Sequence, residues 1–248
     1  LVADAGMTLI ITDHHECYQV LPEAYAIVNP KRPDCDYPFK ELAGVGVVFK
    51  LLCALEALRH PELPLGRCVQ RVGRAYGDLV AIGTVADVMP IRDENRLIVS
   101  YGLSVMEMDP RPGIIELLDA TRTESRSTAK KKITAGLIGF TIAPRLNAAG
   151  RIRNAALAVD LFLSPDCETA RPIAKELCDI NKERQNEENK IVDEAREQIK
   201  NTDLQKDPVI VLGDETWHHG VIGIVSSRIT ERFNCPSILI SFEGVDNA

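Results

Sequence analysis

The sequence predicts a helix-rich α/β protein in which short strands carry functional turns and one long helix joins a larger domain to a smaller one. Three observations predict it. Short β-branched apolar runs stop abruptly at polar residues, at 8–12 and again at 209–212 and 238–240. Helix-period apolar runs separate them. The stretch from Ser164 to about Lys200 is periodic at both ends but almost wholly polar over 183–190, as in a helix bridging two domains through solvent.

Size and composition fit that class. The chain has 248 residues, with 45% hydrophobic and 26% charged, ordinary for a globular protein. Aromatics are only 5%, so the cores should be aliphatic. No apolar run is long enough to cross a bilayer and no signal peptide is visible. The seven cysteines form no Cys-x-x-Cys pair, which argues against a zinc site or a disulfide framework and for a reduced, cytoplasmic setting. A net charge of −7 excludes a protein coated in positive charge but leaves room for a local basic groove. The chain opens Leu1-Val2-Ala3-Asp4 and reaches a strand almost at once, and is read as a piece of a longer protein.

Residues 7–12 are predicted as a buried strand ending in Asp13-His14-His15. Ligands collect past the carboxyl ends of strands in open α/β sheets, and one carboxylate with two imidazoles is a metal-type or phosphate-type set. Successive side chains on a strand point to opposite faces, so the three converge only on a turn. A second strand is expected near 24–28, then a Pro-rich loop from Pro30 to Pro38. Its Asp34-Cys35-Asp36 follows no apolar strand and is read as loop, not as a metal motif.

Ala43-Gly44-Val45-Gly46 opens a helix over 47–58, with Val48, Leu51, Leu52, Leu55 and Leu58 as its apolar face. Its Gly-x-Gly serves phosphate approach or tight helix packing equally well. Residues 77–87 predict an apolar helix stopped near Asp87, with Pro90 beyond. A carboxylate at a helix C-terminus opposes the macrodipole and invites a compensating cation, although a solvated loop Asp fits the same spacing. Residues 94–120 read as two polar-faced helices, with Asp93-Glu94-Asn95-Arg96 as a solvated start.

Between Arg122 and Arg153 the charge changes sign. Arg122, Arg126, Lys130, Lys131, Lys132, Arg145, Arg151 and Arg153 face one anion, Glu124, which marks a candidate polyanion surface. Within it, residues 142–151 read as an irregular loop whose Arg145 and Arg151 can fork onto phosphate oxygens beside Asn147. Ser164-Pro165 is the expected start of the long helix, with Ser as N-cap and Pro at the first helical position. Pro172 should bend or interrupt it. Ala174, Leu177, Ile180, Ile191, Ala195 and Ile199 form its apolar face, and Asn181, Arg184 and Gln185 its polar side. Beyond it come a strand at 209–212, Trp217-His218-His219-Gly220 leading to a helix over 226–233, and a strand at 238–240, the start of a second α/β domain that ends at Asp246-Asn247-Ala248 before it closes.

Taken in order, Ile11-Thr12-Asp13-His14-His15, Leu42-Ala43-Gly44-Val45-Gly46-Val47, Gly83-Thr84-Val85-Ala86-Asp87 and Pro144-Arg145-Leu146-Asn147-Ala148-Ala149-Gly150-Arg151 resemble the DHH phosphoesterase superfamily. Within it the resemblance is to RecJ-type single-strand exonucleases. Trp217-His218-His219-Gly220-Val221-Ile222-Gly223-Ile224-Val225 resembles the opening of their DHH-associated domain, and Asn181-Lys182-Glu183-Arg184-Gln185 fits the connector. The resemblance implies the C-terminal part of a parallel-sheet DHH domain at 1–163, a connector helix at 164–205 and the start of the associated domain at 206–248.

It implies Mn²⁺ or Mg²⁺ in a two-metal site, with His14 and Asp87 as ligands. Asp13 would orient the histidines and His15 would contact the scissile phosphate. Arg145, Asn147, Arg151 and His218 would bind DNA. The substrate implied is single-stranded DNA, cut 5′→3′ in repair and recombination, with no membrane partner and with a helicase or single-strand-binding protein as a compatible accessory. The family's upstream carboxylates do not occur here, so the resemblance implies that this piece alone is inactive. Two alternatives stay open: a phosphodiesterase of short oligonucleotides or cyclic dinucleotides, and a non-catalytic nucleic-acid-binding relative.

Overall fold

The computed structural model describes residues 2, 5–125, 132–200 and 208–242, without the side chains of 123–125. Arg126, Lys130 and Lys131 of the basic window, and the final Asp246-Asn247-Ala248, lie outside the described residues. Strands β1 (Ile10–Thr12) and β2 (Ala26–Val28) pair in parallel, with Ile10 beside Ala26 and Thr12 beside Val28. β1 is shorter than expected and is not buried, since Ile10 is 56% exposed. Among the described residues its sheet has two strands, and a two-stranded ribbon leaves faces and edges uncovered.

Helices then dominate. α1 (Gly44–Arg59), α2 (Leu65–Ala86), α3 (Asp93–Met108) and α4 (Pro112–Ser125) follow one another. α1 does not bury the expected face. Gly46, Val47, Phe49 and Cys53 point inward, whereas Val48, Leu55 and Leu58 are exposed. The inward stripe meets Val72 and Val80 of α2 in a small core. Leu and Val on both sides of α1 leave its sequence pattern ambiguous, and the neighbour α2 selects the stripe carrying the small residues. The start of α3 is less solvated than its charges imply. Asn95 is fully buried, and its amide donates to Glu41 O and Pro90 O. Glu94 takes the Tyr37 hydroxyl at 2.6 Å and pairs with Lys50.

The predicted loop at 142–151 is helical. A short turn α5 (Ala135–Leu137) runs through a π-helical turn (Ile138–Ile142) into α6 (Ala143–Ile152). Pro144 explains both the misreading and the structure. Its ring clashes with the carbonyl four residues back in a regular helix. The wider π turn, in which Ala143 N–H reaches Ile138 O, absorbs the irregularity.

α7 (Ala156–Leu163) leads to α8 (Cys167–Ile199). The N-cap of α8 is Asp166, which accepts Thr169 N–H at 2.8 Å. Ser164 instead closes α7, bonding back to Asp160 O at 2.9 Å. Pro172 does not interrupt α8. The larger core gathers Ile82, Met106, Leu117, Ile138, Ile142, Leu161 and Leu177.

The second core joins the far end of α8, through Ile191, Ala195 and Ile199, to a βαβ unit of β3 (Ile210–Asp214), α9 (His219–Phe233) and β4 (Ser237–Ser241). β3 and β4 are parallel. α9 begins seven residues before the expected Ser226, because His218 supplies an N-cap, its Nδ1 accepting Gly220 N–H at 3.0 Å. α8 therefore belongs to both cores, and its middle is not simply solvated: Asn181 and Glu188 are buried. The class is as expected, a predominantly helical α/β architecture with small parallel sheets.

Candidate metal centre and phosphate cleft

The site starts where β1 ends. Asp13 N–H donates to Val28 O at 3.1 Å, carrying the strand pairing one residue past β1. The parallel register puts the next residue of the neighbouring strand, Asn29, beside the turn. Buried Asn29 donates its amide to His15 O at 3.0 Å and to Cys17 Sγ at 3.3 Å. Sequence reasoning misses Asn29; the signal for it is a polar residue one step beyond a strand in register with Asp13.

Three N–H groups converge on Asp13 Oδ1: the His15 ring Nδ1 at 2.8 Å and the amides of His14 at 2.7 Å and His15 at 3.2 Å. The hydrogen bond from the His15 ring, reinforced by its amide, holds the Asp13 carboxyl down at about 2 against the opposing effect of burial. An ionised carboxylate only accepts, so His15 Nδ1 carries the proton, and Nε2 of this largely exposed ring is left to face a ligand.

His14 turns the other way. Its ring is mostly buried against the first turn of α1, where a Cβ on Gly44 would lie 3.5 Å from Cδ2. Its Nε2 sits 3.4 Å from Asp87 Oδ2. Asp87 terminates α2, its own N–H closing on Gly83 O at 3.0 Å. Its half-exposed carboxylate stands at the negative end of the helix dipole. The distance between His14 and Asp87 is fixed by helix packing. A Cβ on Gly83 would lie 2.7 Å from Val45 Cγ2, so α1 and α2 touch here as they can only with glycine. Packing is thus the job of Gly83.

Ligand atoms of Asp13, His14 and His15 lie within 4.8 Å of one another, the one such cluster among the described residues. With Asp87 reaching His14, the donor set is two imidazoles and two carboxylates. That chemistry fits a first-row divalent cation better than Ca²⁺ or a thiolate-bound metal.

Asp87 also lines an open cleft with Gly83, Ala86, Asn147 and Arg151. Three expected site residues, from the end of α2 and from α6, thus share one cavity. Arg151 continues the surface to the second lobe, donating Nη1 to Gly220 O at 3.2 Å. The approach is close: a Cβ on Gly220 would collide with Arg151 O. His218, the α9 cap, stacks on His219 beside this junction.

Arg145 lies on a different side of α6. Its Nε points to Cys178 Sγ at 3.3 Å and its Nη1 donates to Thr141 O at 2.7 Å. It lines a second groove with Arg122, Phe140 and Gln185. The basic window is less positive than its count. Arg122 pairs with Asp119, and Arg153 forks onto Glu183 at 3.0 and 3.3 Å, both carboxylates coming from outside the obvious cationic residues.

The chain is similar to known proteins in both sequence and fold. The model of the DHH family, N-terminal domain, matches residues 1–84. The single-stranded-DNA-specific exonuclease RecJ of Bacillus subtilis (strain 168) is 42% identical over 240 residues, covering 97% of this chain and 28% of that protein. The crystal structure of RecJ in complex with Mn²⁺ from Thermus thermophilus is 33% identical with a TM-score of 0.76, over 96% of this chain and 33% of the other. A second crystal structure, of exonuclease RecJ bound to manganese, is 32% identical with a TM-score of 0.76, over 97% of this chain and 56% of the other. The chain spans less than a third of the Bacillus relative's length.

Proposed function

We infer, from the premise that this chain belongs to the DHH superfamily and is homologous to RecJ-type single-stranded-DNA-specific exonucleases, that it serves metal-dependent hydrolysis of phosphodiester bonds in single-stranded DNA, from the 5′ end, in DNA repair and recombination. The observation that carries the reading is the 3.4 Å approach of His14 Nε2 to Asp87 Oδ2, which joins the Asp-His-His turn to a helix-end carboxylate beside Asn147 and Arg151.

His14 and Asp87 would serve as ligands to Mn²⁺ or Mg²⁺ in a two-metal site. When bound, the cations supply a more acidic water and neutralise charge on the scissile phosphate. Asp13 keeps the His15 ring in one tautomer and orientation. His15 Nε2 then meets a phosphate oxygen, where it counters the charge that builds during attack. Arg151 and Asn147 hold the neighbouring phosphate from across the cleft. The guanidinium has five donors and spends one on Gly220 O. Arg145 binds a phosphate further along the strand, and His218 contacts DNA where the lobes meet. The division is a DHH domain at 1–163, a connector at 164–205 and a DHH-associated unit at 206–248, in a cytoplasmic protein.

Manganese titration followed by the paramagnetic signal of free Mn²⁺ tests the reading. Asp87→Ala should weaken binding at least tenfold while leaving the circular dichroism spectrum unchanged. Equal Mn²⁺ affinity in the two proteins refutes the ligand assignment. In the full-length parent protein with Mn²⁺, cleavage of dinucleotides alone, with 5′-phosphorylated single-stranded DNA untouched, refutes the exonuclease.

A further inference from the structure

Phe140 is 88% exposed, the most exposed phenylalanine of the chain. Removing such a ring from water is strongly favourable, so a ring held out in solvent by a well-formed helix invites a partner. The π-helical turn over Ile138–Ile142 is what holds it there, with Ile138 and Ile142 both fully buried on the opposite side. Turns of this kind cluster at functional positions.

The surroundings specify the partner. Phe140 lines a groove with Arg122, Thr141, Arg145 and Gln185, and no carboxylate lines it among the described residues. Arg145 is braced by Thr141 O and Cys178 Sγ, so its guanidinium stands fixed beside the ring rather than sweeping through solvent. An open aromatic face flanked by a braced guanidinium and an amide is the pattern that binds unpaired nucleobases: the ring stacks on any base, the guanidinium takes the phosphate, and an amide reaches base edges. Duplex DNA hides its base faces and offers no such contact.

We propose that Phe140 is a stacking platform for one nucleobase of a single-stranded polynucleotide, with Arg145 on the adjoining phosphate. The platform shares α6 as a wall with the Asp87 cleft, because Arg145 and Asn147 lie on the same helix and line the two grooves. The inference rests on the single-strand reading above and adds to it a contact that selects for unpaired bases.

The test separates the two. Fluorescence anisotropy in EDTA, which removes metal and hydrolysis from the readout, compares an oligothymidylate with an abasic oligomer of equal length and charge. Phe140→Ala should weaken the oligothymidylate about tenfold and leave the abasic oligomer unchanged, and Phe140→Trp should restore binding. The exposed ring makes few contacts, so the fold tolerates the truncation. Equal oligothymidylate affinity in wild type and Phe140→Ala overturns the platform and makes the ring a protein contact. Equal weakening of both oligomers overturns it as well, since the ring then acts on the groove and not on a base. Failure of the wild-type protein to bind either oligomer overturns the single-strand reading itself.

Discussion

Asp78 shows how far a single residue's meaning lies from its local sequence. It sits inside an apolar stretch of α2, 2% exposed, and would be an uncompensated buried charge but for Arg111, which comes from the start of α4 to place Nε 2.6 Å from Oδ2. The same guanidinium bonds Ala75 O. Removing one partner of such a pair strands the other. Arg111→Ala should therefore cost about 3–5 kcal/mol in urea denaturation, and Asp78→Leu in the same chain should recover most of it. A loss below about 1 kcal/mol, or no recovery, means the pair does not stabilise the fold. The pair is invisible in the sequence because its members are 33 residues apart. Asn95 and Glu41, 54 apart, are hidden for the same reason. The Asp-His-His turn is legible because its chemistry is contiguous and follows a recognisable β-branched run. Asp87 is legible because apolar periodicity stops there.

At the scale of elements, backbone approach decides the packing. α2 and α3 meet through Gly77 and Gly102; a Cβ on Gly102 would collide with Gly77 O and lie 2.5 Å from Ala81 Cβ. Backbone cannot yield as a flexible side-chain tip can. Gly102→Ala should raise helix propensity by about 1 kcal/mol yet lower the thermal midpoint, because overpacking costs about 1–3 kcal/mol and the strain is on backbone. A raised midpoint would mean the helices separate freely. Elements are legible where one rule dominates and misread where two compete. Residues 142–151 contain Ala-rich helical sequence and Pro144; the proline argues for a loop, and a π turn reconciles both. Ser164 and Asp166 are equally good caps, and the Ser-Pro pair favours the wrong one. The apolar residues of α1 surround the helix, so only the position of α2 chooses the buried stripe.

Across the whole molecule, α8 makes two cores into one body. Leu177 belongs to the first and Ile191 to the second. Between them Glu188 accepts Arg184 Nη1 at 2.6 Å and Arg228 Nη1 of α9 at 2.8 Å. The polar middle of the helix is legible as a bridge, but its charges read as solvated because Arg228 lies 40 residues away. Gly220 against Arg151 also links the lobes. Gly220→Ala should push the start of α9 off α6 and break the Arg151 bond, since the added carbon has no room beside Arg151 O. The expected result is faster amide exchange at 151–153 and 218–222 with little change in the interior of α3 and α4. Unchanged exchange at the junction would show that the contact does not couple the lobes.

One residue lets such coupling be watched directly. The chain has a single tryptophan, Trp217, sealed in the smaller core with Nε1 donating to Glu194 of α8 at 2.9 Å. Its emission is a gauge of one lobe only. Fraying of α1 through α4 passes unseen by it, whereas departure of the β3–α9–β4 unit from α8 wets the indole and shifts its light to the red. Set beside far-ultraviolet dichroism, which counts helices everywhere, this colour change tells from two curves on one sample whether the protein melts once or twice.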